Sequence, residues 1–240
     1  MHLVRCMLFS DRITGASFAE ISPKLMRDNF YFSLYQLLVF IHLLLLVLWL
    51  GADVGVFMLG QQFRKRDKYD LPQRMILLQL LVNLDMVPRT AWALMVPITI
   101  SMVDVGDYWA LPTWGVTLSW VVGGFWLWLV WDAHLHDQTP RAARDRKIEF
   151  VLKIGLTLFY LSLGMVAMKA VMFGLIFAAA IMIDVVFKPL GPQLMKLLRE
   201  GSSDETEIPL LRTMNRTRRW VWVVYALLVA TAFLGNVKPI

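Results

Sequence analysis

The sequence predicts an all-α polytopic membrane helix bundle of about six transmembrane helices, on three observations. Hydrophobic residues make up 58% of the 240 residues and charged residues only 18%, where a soluble domain carries ~25% charge. The apolar residues gather in long blocks, 31–59, 75–103, 113–131, 148–188 and 219–236, each long enough to cross a hydrocarbon core of ~30 Å. None of these blocks alternates apolar and polar residues as barrel strands do. With no water inside a bilayer to satisfy backbone groups, helices remain.

The first block, 31–59, forms span one, and 75–103 and 113–131 form spans two and three. The fourth block is too long for one crossing, since 148–188 as a single helix would reach ~61 Å. A break near Gly164 divides it into spans of about 148–165 and 168–188, and 219–236 is the sixth. Residues 1–28 read as an N-terminal tail ahead of a single membrane domain, 29–240. Met26 offers a second start, which would make 1–25 an extension. The run 1–10 is a poor signal peptide, because Arg5 interrupts it and no small-residue cleavage site follows. The longest polar stretch, 189–217, reads as a solvated cytoplasmic linker with a short amphipathic piece at 193–200. The lone Cys6 leaves no internal disulfide to form.

Lys and Arg concentrate on the cytoplasmic side of short membrane loops. Arg64, Lys65, Arg66, Lys68 and Arg74 follow span one. Arg141, Arg144, Arg146 and Lys147 follow span three, and Lys196, Arg199, Arg212, Arg216, Arg218 and Arg219 precede span six. The intervening loop 104–112 carries Asp104 and Asp107 and no base. This alternation puts both termini outside the cytoplasm, against the tail's own Arg5, Arg12, Lys24 and Arg27. A bacterial cytoplasmic membrane is the expected setting. The net charge of +6 is loop charge of this kind, so nucleic acid is rejected as a partner. The lipid bilayer is the expected partner, with a second copy or a redox protein as further candidates. Tyr31, Tyr35, Tyr108, Trp109 and Trp114 fit an outer aromatic belt, and Trp128, Trp131, Trp220 and Trp222 an inner one.

Ionisable residues inside spans are costly and face a protein interior or a water cavity. Here they are His42 and Asp53 in span one, Asp85 and Arg89 in span two, Lys153 in span four and Asp184 in span five, with Lys169 at the outer end of span five. At ~100° per residue, His42, Trp49 and Asp53 form one stripe. Asp85 and Arg89 are four apart and can pair along the helix, with Pro88 between them loosening the backbone. At ~1.5 Å per residue from the cytoplasmic block ends, Asp53 lies ~9 Å deep, Asp85 ~15 Å, Arg89 ~21 Å and His42 ~25 Å. That count sets Trp49 level with Asp85 and Arg89 nearly level with His42. It predicts a polar seam Asp53–Asp85–Arg89 running to His42, sealed between spans one and two. Lys153 and Asp184 are expected to form a structural pair between spans four and five. Buried His42 could hydrogen-bond a carbonyl, or bind metal or haem through a neutral imidazole. Asp132, His134, His136 and Asp137 look metal-like, but they sit at a solvated helix end and His134 points ~200° from His136.

At these residues a resemblance enters. Ile41-His42-Leu43-Leu44 followed by Leu48-Trp49-Leu50-Gly51 resembles the first conserved helix of the CopD-like superfamily. That group includes copper-resistance D proteins and HemJ-type protoporphyrinogen oxidases. Lys169-Ala170-Val171-Met172-Phe173-Gly174 resembles a later helix of those families. Asp85-Met86-Val87-Pro88-Arg89 with Lys188-Pro189-Leu190-Gly191-Pro192 resembles a narrower bacterial branch. The likeness covers spans one, two and five. It implies haem b with His42 as axial ligand and Lys169 as a functional partner, so the cofactor-binding candidates are His42, Trp49, Arg89 and Lys169. Copper is implied by the other relatives, with His42 as the metal candidate. Of the 14 Met residues, Met58, Met86, Met95, Met165, Met168 and Met172 are soft donors of the kind copper(I) prefers, although Met also fills packing gaps. The chain departs from the oxidases in its six spans, against about four, and in the added Asp85–Arg89 pair. A haem-binding redox protein, a small metal or proton permease using the Asp53–Asp85–Arg89 seam, and a non-catalytic assembly factor are the three functions left.

Overall fold

A computed structural model describes the backbone of residues 18–108, 111–163 and 168–237, and the side chains of 34–108, 111–162 and 171–234. Among the described residues seven helices follow in order: α1 Phe18–Phe63, α2 Leu71–Val105, α3 Thr113–Leu135, α4 Pro140–Leu163, α5 Met168–Phe187, α6 Leu190–Glu200 and α7 Asp204–Val237. The chain is a polytopic helix bundle, and five segments are long and apolar enough to cross a membrane: Leu34–Phe63, Leu71–Val105, Thr113–Leu135, Val171–Glu200 and Asp204–Leu234. The expected fourth span is the exception. Helix α4 packs between α3 and α5, but Glu149 and Lys153 are buried within it and its first turns are basic, so apolarity alone does not mark it. The expected break near Gly164 lies outside the described residues, between the end of α4 and the start of α5.

Local signals set the ends. Asp70 caps α2 by accepting from Gln73 N, while the Gln73 side chain accepts from Asp70 N, a reciprocal capping box followed by Pro72. Pro112 precedes α3 and Pro140 opens α4. Gly201, at φ 79°, ends α6 in the left-handed region that favours glycine. Helix α1 begins at Phe18, so residues 18–28 of the expected tail continue span one as helix; the start at Met1 or Met26 falls where no side chain is described.

Two buried cores lie side by side. One joins Leu38, Leu45 and Trp49 of α1, Ala91, Met95 and Ile98 of α2, Ile176 and Ala179 of α5, and Val224 and Leu228 of α7. The other joins Met86, Ala93 and Val96 of α2, Trp126 and Val130 of α3, Leu156 and Tyr160 of α4, and Phe177 of α5. Helices α2 and α5 belong to both and form the central pair. The last helix closes the bundle against the first, antiparallel to it, through Phe57 with Trp222 and Tyr225.

The stretch 189–217 is not the solvated linker its composition predicts. It is helical through α6 and the first turns of α7, and Leu197 and Leu210 bury completely against Phe63. Leu190, Leu194 and Leu197 fall on one face of α6 and supply the apolar stripe that docks it. Arg74 and Glu207, both about fully buried, form a two-point ion pair at 2.5 and 2.9 Å. Arg74 Nε also donates to the Phe63 carbonyl at 2.7 Å. Ser202 donates to Glu207 and Arg66 pairs with Asp204. The loops 64–70 and 136–139 and helix α6 therefore share one end of the bundle, the basic end. The Tyr35–Tyr108 hydroxyl contact at 2.9 Å marks the other; of the aromatic belt expected there, Tyr31 and Trp109 lie outside the described side chains.

Helices α2 and α3 approach closely because Gly123 lacks a side chain. A Cβ there would stand 2.8 Å from Pro97 Cγ, whereas one on neighbouring Gly124 would meet nothing within 4 Å. Gly123→Val is expected to destabilise the bundle by about 1–3 kcal/mol through overpacking, and Gly124→Val to be neutral. Thermal unfolding of the two variants in the same detergent checks this.

Candidate functional site

Six ionisable side chains of the helices, Asp53, Asp85, Arg89, Glu149, Lys153 and Asp184, gather in one layer built by four helices. In α2, Arg89 Nε holds Asp85 Oδ2 at 2.5 Å. From α1, Asp53 stands within electrostatic reach of both. From α4, Lys153 Nζ lies 2.9 Å from Glu149 Oε1 one turn earlier, and 2.9 Å from Asp184 Oδ2 of α5. Arg89 also faces Glu149 and Asp184 across the layer, which joins the two pairs into one cluster. Lys153 and Glu149 are almost completely buried. Arg89 is 46% accessible, in contact with Asp85 of its own helix and within electrostatic reach of carboxylates of α1, α4 and α5. The expected sealing between spans one and two fails for this reason, while the expected company of Asp53, Asp85 and Arg89 and the Lys153–Asp184 contact are both present.

Glu149 was missing from the sequence reading. It sits at the edge of an apolar block beside a basic run, where a solvated helix face is the ordinary reading. The available signal was its spacing: four residues before Lys153, it shares that residue's helix face.

An aromatic layer lies directly beyond the charges, on the side away from the basic end. Trp49 of α1 stacks on Trp92 of α2 with centroids 5.6 Å apart and planes at 17°. Trp92 meets Trp126 edge-on at 5.1 Å and Phe177 at 4.9 Å. Tyr160 stacks on Phe177 at 5.7 Å. The two layers touch where Trp126 Nε1 donates to Glu149 at 3.3 Å and where the Lys153 ammonium lies 5.6 Å from the Trp92 centroid. Each element repeats the order: Asp53 then Trp49, Arg89 then Trp92, Lys153 then Tyr160, Asp184 then Phe177, counted outward from the basic end. Trp92 Nε1 is buried with no hydrogen-bond partner among the described residues.

His42 does not join this cluster. Its Nδ1 lies 3.4 Å from Thr99 Oγ1, and Trp49, one heptad nearer the charges, is level with Trp92. The sequence count set Trp49 level with Asp85 and His42 with Arg89, so α2 is displaced along α1 by about two turns, ~10 Å. At the return from loop 64–70, Arg74, in the first turn of α2, bonds back to the Phe63 carbonyl. The Thr99 hydroxyl donates to the Met95 carbonyl at 2.7 Å. It can then only accept from His42, which makes Nδ1 the donor and leaves the Nε2 lone pair free.

The remaining candidates do not converge. Lys169 lies in the first turn of α5 at the end away from the charged layer, and its side chain is outside the described ones, as are those of Met165 and Met168. Met86 and Met95 are buried in different cores, and Met58 is exposed. Among the described residues no three His, Cys, Asp or Glu side chains group as metal ligands. Asp132 is buried rather than solvated, and it holds Arg141 at 2.5 and 2.7 Å across the α3–α4 turn.

Lys153→Met would leave two carboxylates without their cation. It is expected to cost about 3–5 kcal/mol, against about 0–1 kcal/mol for Arg146→Met, whose pair with Asp137 is half-exposed. Denaturant unfolding in a fixed detergent separates the two. No family model, curated protein or solved structure matches the chain.

Proposed function

We propose that the protein is a small permease for protons or a metal cation, in the bacterial cytoplasmic membrane, with its basic end toward the cytoplasm. The observation that carries this reading is the charge imbalance of the layer: four carboxylates, Asp53, Asp85, Glu149 and Asp184, against two cations, Arg89 and Lys153. Surplus negative charge in a low-dielectric interior is unfavourable, and protons or a small cation taken up there relieve it. Intramembrane carboxylates commonly line such routes. The aromatic layer supports a gated path, because it separates the accessible Arg89 from the far end. Beyond it, His42 offers a second proton-accepting station ~16 Å from Asp53 along α1. The lysines and arginines of loops 64–70 and 136–147 support the orientation.

In proteoliposomes enclosing a pH dye, an imposed pH gradient is expected to collapse at least tenfold more slowly with Asp85→Asn or Glu149→Gln than with the unmodified chain. Arg146→Gln should leave the rate unchanged. Equal rates in all four, with or without added divalent metal, would reject the permease.

A second reading, haem b held by His42 in a redox protein of the CopD-like kind, is favoured by one observation. The Thr99 contact directs the free Nε2 lone pair away from the protein's own hydrogen bonding, as an orienting partner does for a ligating imidazole. His42 would supply one axial bond. The other described histidines, His134 and His136, lie at the basic end of α3 and are too far to supply the second, while haem would contribute electron transfer. This reading expects a Soret band in the purified protein that His42→Ala abolishes. A featureless visible spectrum after reconstitution with haem removes it.

A further inference from the structure

At the basic end, α7 presents Arg212, Arg216 and Arg219 at spacings of four and three, which puts them on one helix face. They line a cavity of about 290 Å³ whose opposite wall is Val186 and Pro189, where α5 turns into α6. Thr213 and Asn215 complete the rim, and Asn215 is already engaged by Arg64. Arg66, Arg74, Arg89, Arg141, Arg144 and Arg146 each meet a carboxylate, but among the described residues Arg212, Arg216 and Arg219 meet none within 4 Å. Loop arginines are common at such an end of a membrane protein. Three exposed arginines on one helix face, bordering a single largely apolar cavity, are a more specific arrangement.

The geometry points to a binding site for the phosphate headgroup of an anionic phospholipid. Three guanidinium groups supply forked donors to phosphate oxygens. The position fits an amphiphile, because Arg219 is the residue at which the apolar run 219–236 begins, so the site lies at headgroup level with Val186 facing the acyl side. The volume falls at the small end of ligand pockets, ~300–1,000 Å³, and suits a headgroup with its chains left outside. Basic pockets between membrane helices bind anionic headgroups in this way. The site is separate from the carboxylate layer, and its ligand is the same whether the protein moves protons, moves metal or binds haem.

The test uses the full chain in a neutral detergent, with thermal unfolding followed during titration with short-chain phosphatidylglycerol. The melting temperature is expected to rise saturably. Short-chain phosphatidylcholine should give no comparable rise, and inorganic phosphate or glycerol phosphate should compete only at far higher concentration. Combined Arg212→Gln, Arg216→Gln and Arg219→Gln should weaken the lipid response at least tenfold, and Arg144→Gln, Arg146→Gln and Lys147→Gln together should leave it intact. Val186→Trp keeps every charge but fills the cavity, and it should lose the response too, which covers the case where the triple variant fails to fold. Equal responses to phosphatidylcholine, or an unchanged response in both Val186→Trp and the triple variant, would overturn the assignment. Inorganic phosphate acting as strongly as the lipid would overturn the lipid as its source.

Discussion

The Lys153 ammonium is the point on which the interior depends. It is nearly inaccessible, and it is held between Glu149 of its own helix and Asp184 of the next at 2.9 Å each. A lone ammonium in such a place would cost several kcal/mol. Two carboxylates and the face of Trp92 make it tolerable, and in doing so they fix α4 against α5 and both against α2. Because α2 and α5 also belong to the core shared with α1 and α7, this contact sets the relation between the two halves of the bundle. Arg89 then becomes the natural counterweight, drawing Asp53 and Asp85 toward the same layer.

Charges and aromatics occupy neighbouring layers for a physical reason. Indole and phenol rings offer a polar edge and an apolar body, so they can face the charged layer on one side and aliphatic packing on the other. Trp126 does this by donating to Glu149, and Trp92 by offering its ring face to Lys153. The result is a layer of rings, directly beside the charged layer, that turns its polar edges and faces toward Glu149 and Lys153.

Much of this was legible in the sequence. Block length and the absence of alternation gave the helices, and ionisable residues within apolar blocks gave Asp53, Asp85, Arg89, Lys153 and Asp184. What escaped was relative height. Counting depth from block ends treats a loop as a symmetric turn, but α2 is displaced along α1, with Trp49 level with Trp92 and His42 beside Thr99, which parts His42 from Arg89. Composition also misjudged 189–217, since a polar average hides the Leu190–Leu194–Leu197 stripe and the burial of Glu207 by a partner 133 positions away. Long-range pairing of this kind leaves no local pattern to read. For His42 the contact with Thr99, not any local pattern, supplies the physical reason for interest.

The burial of Arg74 has a consequence for biosynthesis. This guanidinium is made early, in the first turn of α2, while its carboxylate partner arrives only with the last helix. Until Glu207 emerges from the ribosome, the nascent chain carries an unmatched cation next to Phe63, and one core lacks the Val224 and Leu228 that α7 supplies. Every incomplete product stopped short of that point bears the same defect, a guanidinium left with the Phe63 carbonyl and without its carboxylate.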